Sequence, residues 1–169
     1  MRLINSNVEL LQQGDGINGV LKQIEIAGRT CYKSENKITK NSSVDFVKKM
    51  IASGHYAMLE HGTVYLYYLA NPYSKEDDEF IEKYKSNPYT KMFWRVGDDY
   101  WEDGSLHTIM GKEPTGCVEF CITTNYRVIV ENNWEDDLQY LCEPTPFHYK
   151  RYTLRFTTDR GVSHKRFVA

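Results

Sequence analysis

The residues Gly62-Thr-Val-Tyr-Leu-Tyr-Tyr-Leu-Ala70 constrain this chain more than any other stretch. They are β-branched and aromatic throughout, which predicts a strand well buried in a sheet. A strand of that kind needs partners and a cover, and the flanking sequence offers both. From Ile17 to Gly28 the apolar positions Ile17, Leu21, Ile24 and Ala27/Gly28 recur at helical spacing, with Asp15 or Asn18 able to cap. Ser43 to Ala52 repeats the pattern through Val44, Val47, Met50 and Ile51, closed by Gly54. Ser74, with Asp77 three residues on, opens an acidic helix carrying Phe80, Ile81 and Tyr84, and Asn87-Pro88 ends it.

Further strands are predicted at Asn7 to Leu11, Tyr89 to Val96 and Cys117 to Val130. Gly97 to Gly116 is an acidic, aromatic stretch expected to form a loop or ragged hairpin. Trp134, Leu138 and Leu141 suggest another helix, ended by Glu143-Pro-Thr-Pro146. Tyr152, Leu154 and Phe156 then alternate with Arg151, Thr153, Arg155 and Thr157, which predicts a strand with one face buried. A short helix is expected after Asp159. The order of elements indicates an α+β class with an antiparallel sheet flanked by helices. Neither a repeat nor a Pro/Gly/Ser linker divides the 169 residues, so one domain spanning 1–169 is expected.

Composition narrows the function classes. A formal net charge of −2 disfavours binding of nucleic acid by bulk charge. No run approaches the ~18 apolar residues of a membrane span, and Met1-Arg-Leu-Ile-Asn-Ser-Asn7 lacks the apolar core of a signal peptide. With four cysteines in no secreted framework, a reducing, cytoplasmic setting is expected. Cys117 and Cys121, four apart on a strand, would share a face at roughly 13 Å, which suits neither a disulfide nor a metal and predicts buried structural thiols.

Three constellations carry candidate chemistry. Gly28-Arg-Thr-Cys-Tyr32 leaves the first helix with a guanidinium fork that matches phosphate oxygens, or that simply complements the helix C-terminus. Ser53 to Gly62 places His55, Glu60 and His61 in a short loop before the aromatic strand. Such a loop is a place for a site; its histidines and glutamate could ligate a metal, but their spacing is not a standard one, or they could bond nearby backbone. Lys150, Arg151, Arg155, Arg160, Lys165 and Arg166, opposed by Asp159, could hold an anion or form a solvated polar face.

Taken in order, Ala27-Gly-Arg-Thr-Cys31, Gly54-His55 with Leu59-Glu-His61, and Asp159-Arg-Gly-Val-Ser-His164 resemble the flavin-dependent thymidylate synthases. Ile122-Thr-Thr-Asn-Tyr-Arg-Val-Ile-Val-Glu-Asn132 resembles a branch of that family with a longer insertion after the aromatic strand. The resemblance covers nearly the whole chain. It implies a homotetrameric α+β enzyme binding FAD and dUMP between subunits. The family transfers a methylene from methylenetetrahydrofolate to dUMP, with FAD reduced by NADPH and no nucleophilic cysteine.

By position, the resemblance puts Arg29, Cys31, His55 and Ala57 near the flavin, Cys31 standing where many relatives have serine and Ala57 where they commonly have threonine. Glu60 and His61 would shape the loop, and Arg160, Lys165 and Arg166 would be left as contacts for the substrate. No catalytic residue and no metal ligand is assigned. The family's R-H-R signature should begin where Val162-Ser-His-Lys-Arg-Phe-Val-Ala169 ends, so the chain reads as the family's N-terminal portion without the helical C-terminal part. Two other readings stand beside it: a nucleotide- or flavin-binding remnant pairing with an intact relative, and a single-strand nucleic-acid module using aromatic strands and the basic C-terminal segment.

Overall fold

The computed structural model describes residues 5–96, 99–102, 105–107 and 117–158. In chain order the elements are β1 (Asn7–Leu11), α1 (Gly16–Cys31), α2 (Ser42–Ala52), β2 (Thr63–Ala70), α3 (Lys75–Lys85), β3 (Lys91–Val96), β4 (Asp99–Glu102), β5 (Ser105–His107), β6 (Val118–Asn125), α4 (Tyr126–Glu131) and β7 (Thr153–Thr157). Turns of 3-10 helix occupy Glu35–Lys37, Tyr56–His61 and Glu135–Tyr140. The class is α+β, with two antiparallel sheets. The chain divides into two compact units, one formed by Met1–Gln12 with Arg151–Ala169, the other by Gln13–Lys150.

The larger unit is organised by β6. It pairs with β2 on one side and β3 on the other, in the sheet order β2-β6-β3-β4-β5. The register sets Leu66 opposite Ile122 and Tyr68 opposite Phe120, while Met92 and Trp94 meet the same two β6 residues from β3. Period-two alternation therefore collects Val64, Leu66, Tyr68, Val118, Phe120 and Ile122 on one face. Against this core pack Val20, Leu21 and Ile24 of α1, Phe46 and Val47 of α2, Tyr84 of α3 and Ile129 of α4. Each helix thus buries one stripe and leaves the other in water, as the sequence periodicity requires.

Local signals explain where helices begin and end. Ser74 Oγ accepts from the Asp77 amide at 3.3 Å, and the Asp77 carboxylate in turn accepts from the Asn71 amide and the Tyr68 hydroxyl. Gly54, at φ +71°, lets the chain leave α2 while the Gly54 and His55 amides close on Ile51 and Met50 carbonyls. At α1 neither expected cap operates: Asp15 sits at the N-cap without a side-chain bond, and the Gly16 amide instead donates to Glu143.

Two expected elements differ. The strand predicted to reach Val130 stops at Asn125, whose side chain accepts from the Val128 amide and caps α4. The β-branched run Val128-Ile-Val130 suggested strand, but burial of Val128 and Ile129 beside the sheet outweighs that propensity. The segment after Trp134 is a 3-10 turn rather than an α-helix. Cys121 is buried as expected, whereas Cys117 is exposed; all four cysteines are free.

The smaller unit is the antiparallel pair of β1 and β7, with Val8 opposite Phe156, Glu9 opposite Arg155 and Leu10 opposite Leu154. Glu9 and Arg155 form an ion pair across it. The expectation that Tyr152, Leu154 and Phe156 mark a buried face is overturned, since all three are exposed. Alternation correctly grouped them on one face; it carried no information about a cover.

Candidate functional site

The end of α1 is held by a close approach to α2. A Cβ on Gly28 would lie 2.6 and 2.8 Å from two ring carbons of Phe46, so no side chain fits there without displacing that ring. One residue on, Arg29 Nε donates to Glu25 Oε1 at 2.7 Å, and the guanidinium carbon stands 4.9 Å from the Phe46 ring centroid. Glu25 is fully buried, and Ser42 Oγ satisfies its other oxygen at 2.9 Å. Thus Nε is fixed from behind by helix and ring together. The two terminal nitrogens of Arg29 have no partner among the described residues, and the side chain is 14% exposed. Oγ1 of Thr30, the next residue in the chain, is buried and has no hydrogen-bond partner among the described residues.

The segment Tyr56–His61 forms the second wall. Leu59 anchors it in the core. Gly62 brings its end against α1 so closely that a Cβ would fall 2.7 Å from Ile24 Cδ1 and 2.8 Å from Val20 Cγ1. At one end, His55 Nδ1 and the Tyr32 hydroxyl are hydrogen-bonded at 3.0 Å, their rings stacked with centroids 6.3 Å apart. At the other end, Glu60 pairs with Arg127 Nη1 at 2.5 Å, and Arg127 Nε donates to Glu131 at 2.9 Å. Glu60, then Glu131, hold the Arg127 guanidinium above its usual pKa. The Gly62 carbonyl accepts from the Tyr126 amide at 2.8 Å, which ties the segment to α4 through backbone as well.

Of the residues singled out from sequence, Arg29 and Cys31 lie on the last turn of α1, and His55, Ala57, Glu60 and His61 lie on the segment that packs against it. Cys31, His55, Ala57, Glu60 and His61 are exposed. Arg160, Lys165 and Arg166 fall outside the described residues. Among the other C-terminal cations, Arg155 pairs with Glu9 and Lys150 is exposed. No group of three or more His, Cys, Asp or Glu residues is placed to hold a metal ion among the described residues. No described helix is long and apolar enough to cross a membrane.

Glu25, Arg127, Glu131 and Tyr32 were not assigned to the site from sequence. Glu25–Arg29 and Arg127–Glu131 are both visible as i,i+4 pairs, a spacing that brings side chains together on a helix. Tyr32 carried no such signal, because its partner His55 lies 23 residues away.

Cys121 and Cys142 do not make a nucleophile. His148 Nδ1 accepts from the Thr145 amide at 3.1 Å, so the ring proton is on Nε2, 3.1 Å from the Leu66 carbonyl that accepts it. Burial holds the imidazole below its usual pKa. It also raises the Cys121 thiol and pushes Cys142 up to about 11, which leaves both protonated and unreactive at neutral pH. They serve to pack the segment after Cys142 onto the sheet.

Comparison of the chain with protein-family models, with curated proteins and with solved structures yields no match.

Proposed function

We propose that the chain binds FAD at the end of α1 and the His55–His61 segment, as the N-terminal portion of a flavin-dependent thymidylate synthase. The observation that supports this reading above others is Arg29. Its Nε is fixed by buried Glu25, its plane is backed by Phe46, and its terminal nitrogens have no partner among the described residues. A guanidinium oriented in this way presents paired donors to a phosphate with little further ordering cost. The exposed Tyr32–His55 pair offers ring faces on the neighbouring segment. This donor set fits a dinucleotide with an aromatic ring system.

FAD would bring redox and one-carbon chemistry: in the family, NADPH reduces it and methylenetetrahydrofolate supplies the carbon that converts dUMP to dTMP. The chain's own residues here bind and orient. The R-H-R signature is not in the sequence, and with it go the charges that would stabilise a transition state on the uracil. Binding of the flavin is the step assigned to the described residues.

Titration of the purified chain into FAD, read by flavin fluorescence and by the visible absorption band, tests the reading. Saturable quenching with a shifted band supports it. Unchanged flavin spectra would sink it, and salt-sensitive binding of single-stranded oligonucleotides would then favour the nucleic-acid reading.

A further inference from the structure

The sheet face opposite the helical core is crossed by an irregular segment, residues 142–150. Alternation places Tyr65 and Tyr67 of β2, Glu119 and Cys121 of β6, and Phe93 and Arg95 of β3 on that face. The segment begins as backbone pairing: Leu141 bridges Leu66, and the Cys142 amide donates to the Tyr65 carbonyl at 2.9 Å. Pro144 and Pro146 have no N–H and cannot extend the ladder, so side chains take over. Phe147 stacks on Phe93 with centroids 5.1 Å apart, and the Arg95 guanidinium lies 4.7 Å from the Phe147 ring centroid. Thr145 Oγ1 stands 3.7 Å from Cys121 Sγ. His148, 4% exposed, joins both sides: Nδ1 accepts from the Thr145 amide at 3.1 Å, and Nε2 donates to the Leu66 carbonyl at 3.1 Å.

We propose that residues 142–150 form a strap latched by neutral His148 and released when the ring is protonated at Nδ1. A proton there turns the acceptor of the Thr145 amide into a second donor facing it. The Thr145 hydroxyl, 2.9 Å from Nδ1, can turn to accept, but the amide loses its partner. The new cation also finds little to balance it. On β2 the ring meets Tyr65 edge-on at 5.4 Å, with Tyr67 further along the strand. On β6 and on the segment itself, Cys121 and Cys142 are thiols whose pKa values burial raises, so they stay neutral as pH falls. Glu119 is paired with Arg95 at 2.7 Å, and Glu143 accepts from the Gly16 amide at 3.2 Å. Tyr149 and Lys150 follow in the chain, the latter adding positive charge. Burial therefore opposes the imidazolium, in the same direction as the lowered pKa of the ring. Release hydrates the ring and uncovers Tyr65, Phe93 and Cys121, while the core face under the helices keeps its packing. This inference is independent of the flavin reading, and its test uses no flavin.

Hydrogen–deuterium exchange on the full chain, read by mass spectrometry and corrected for the intrinsic pH dependence of exchange, tests it. Residues 142–150 should be less protected than β2 and β6 at every pH, because the strap opens without the sheet. Between pH about 7.5 and 5.5 their protection should fall by up to about tenfold, the limit set by one proton with an open-state pKa of about 6.5. In His148→Gln, which does not titrate in this range, their protection should stay level. Protection equal to that of β6, protection that ignores pH in the wild type, or an unchanged pH response in the folded variant overturns the proposal. If the variant does not fold, nuclear magnetic resonance of the wild type decides. The His148 ring should keep its proton on Nε2 at neutral pH and take up the second below pH about 6.5, as the Thr145 amide loses protection. A ring that titrates at or above that pH with the Thr145 amide still protected overturns it equally.

Discussion

Replacing Glu25 with glutamine removes the charge that aims Arg29 while keeping the side chain's shape. In the native structure the carboxylate is closed off from water and accepts from Arg29 Nε at 2.7 Å and Ser42 Oγ at 2.9 Å. A hydrogen bond to a charged group contributes about 1.5–3 kcal/mol, and removing one partner of a fully buried ion pair costs about 3–5 kcal/mol. Arg29 keeps some solvent access and the Phe46 ring, so Glu25→Gln should cost about 2–3 kcal/mol, below the buried-pair range. The converse change, Arg29→Met, strands a carboxylate that has no route to water. It should cost more, about 3–5 kcal/mol. The double variant should recover at least about 1 kcal/mol of the summed loss, the signature of direct coupling. Urea unfolding followed by tryptophan fluorescence reads all three, with an unchanged slope confirming that stability rather than compactness has moved. A Glu25→Gln loss within about 0.5 kcal/mol, or strict additivity in the double variant, would refute the reasoning.

Other outcomes follow from the same geometry. His148 is held neutral in the fold, below its ordinary pKa, so the unfolded chain takes up its proton first as pH falls. Its stabilising contribution is complete above pH about 6.5 and is lost as pH drops from there through the folded value, and a His148→Gln variant should show a flatter urea midpoint between pH 8 and 5. Identical pH slopes in the two proteins would contradict this. Gly62→Ala should cost about 1–3 kcal/mol, because its methyl would overlap Ile24 and Val20; a neutral effect in thermal unfolding would mean that α1 and the following strand are not in that contact. Tyr84→Phe removes a 2.6 Å hydrogen bond to Asp137, but Lys83 still pairs with that carboxylate at 2.6 Å, so the loss should be modest, about 1–2 kcal/mol by denaturant titration. A loss beyond about 4 kcal/mol would show that Lys83 does not hold the charge.

What was legible in the sequence follows from how local each cause is. α1, α2 and α3 declare themselves because apolar stripes and terminal Gly or Ser residues sit within a few positions of one another. β2 and β6 declare themselves because their β-branched and aromatic runs suit few other environments. α4 was hidden, since its reason for being a helix is the Asn125 cap and burial beside distant strands, while its own Val128-Ile-Val130 argues for strand. Gly97 to Gly116 was expected as a loop or ragged hairpin, and β4 and β5 do pair antiparallel within it, with Tyr100 opposite His107. At the site, the i,i+4 partner of Arg29 was readable in principle, but the Tyr32–His55 contact depends on how α1 and α2 pack. The β7 alternation showed the opposite failing: it told which residues share a face and nothing about what that face meets.

The central claim is that Arg29, aimed by Glu25, receives FAD. The dissociation constant for FAD in the wild type and in Arg29→Lys tests it most directly, because lysine keeps the positive charge near Glu25 but loses the fork. The account predicts saturable binding to the wild type and an affinity weaker by about 10- to 100-fold in the variant, the equivalent of one charge-assisted contact. Equal affinities in two folded proteins, or no binding to either, would contradict it.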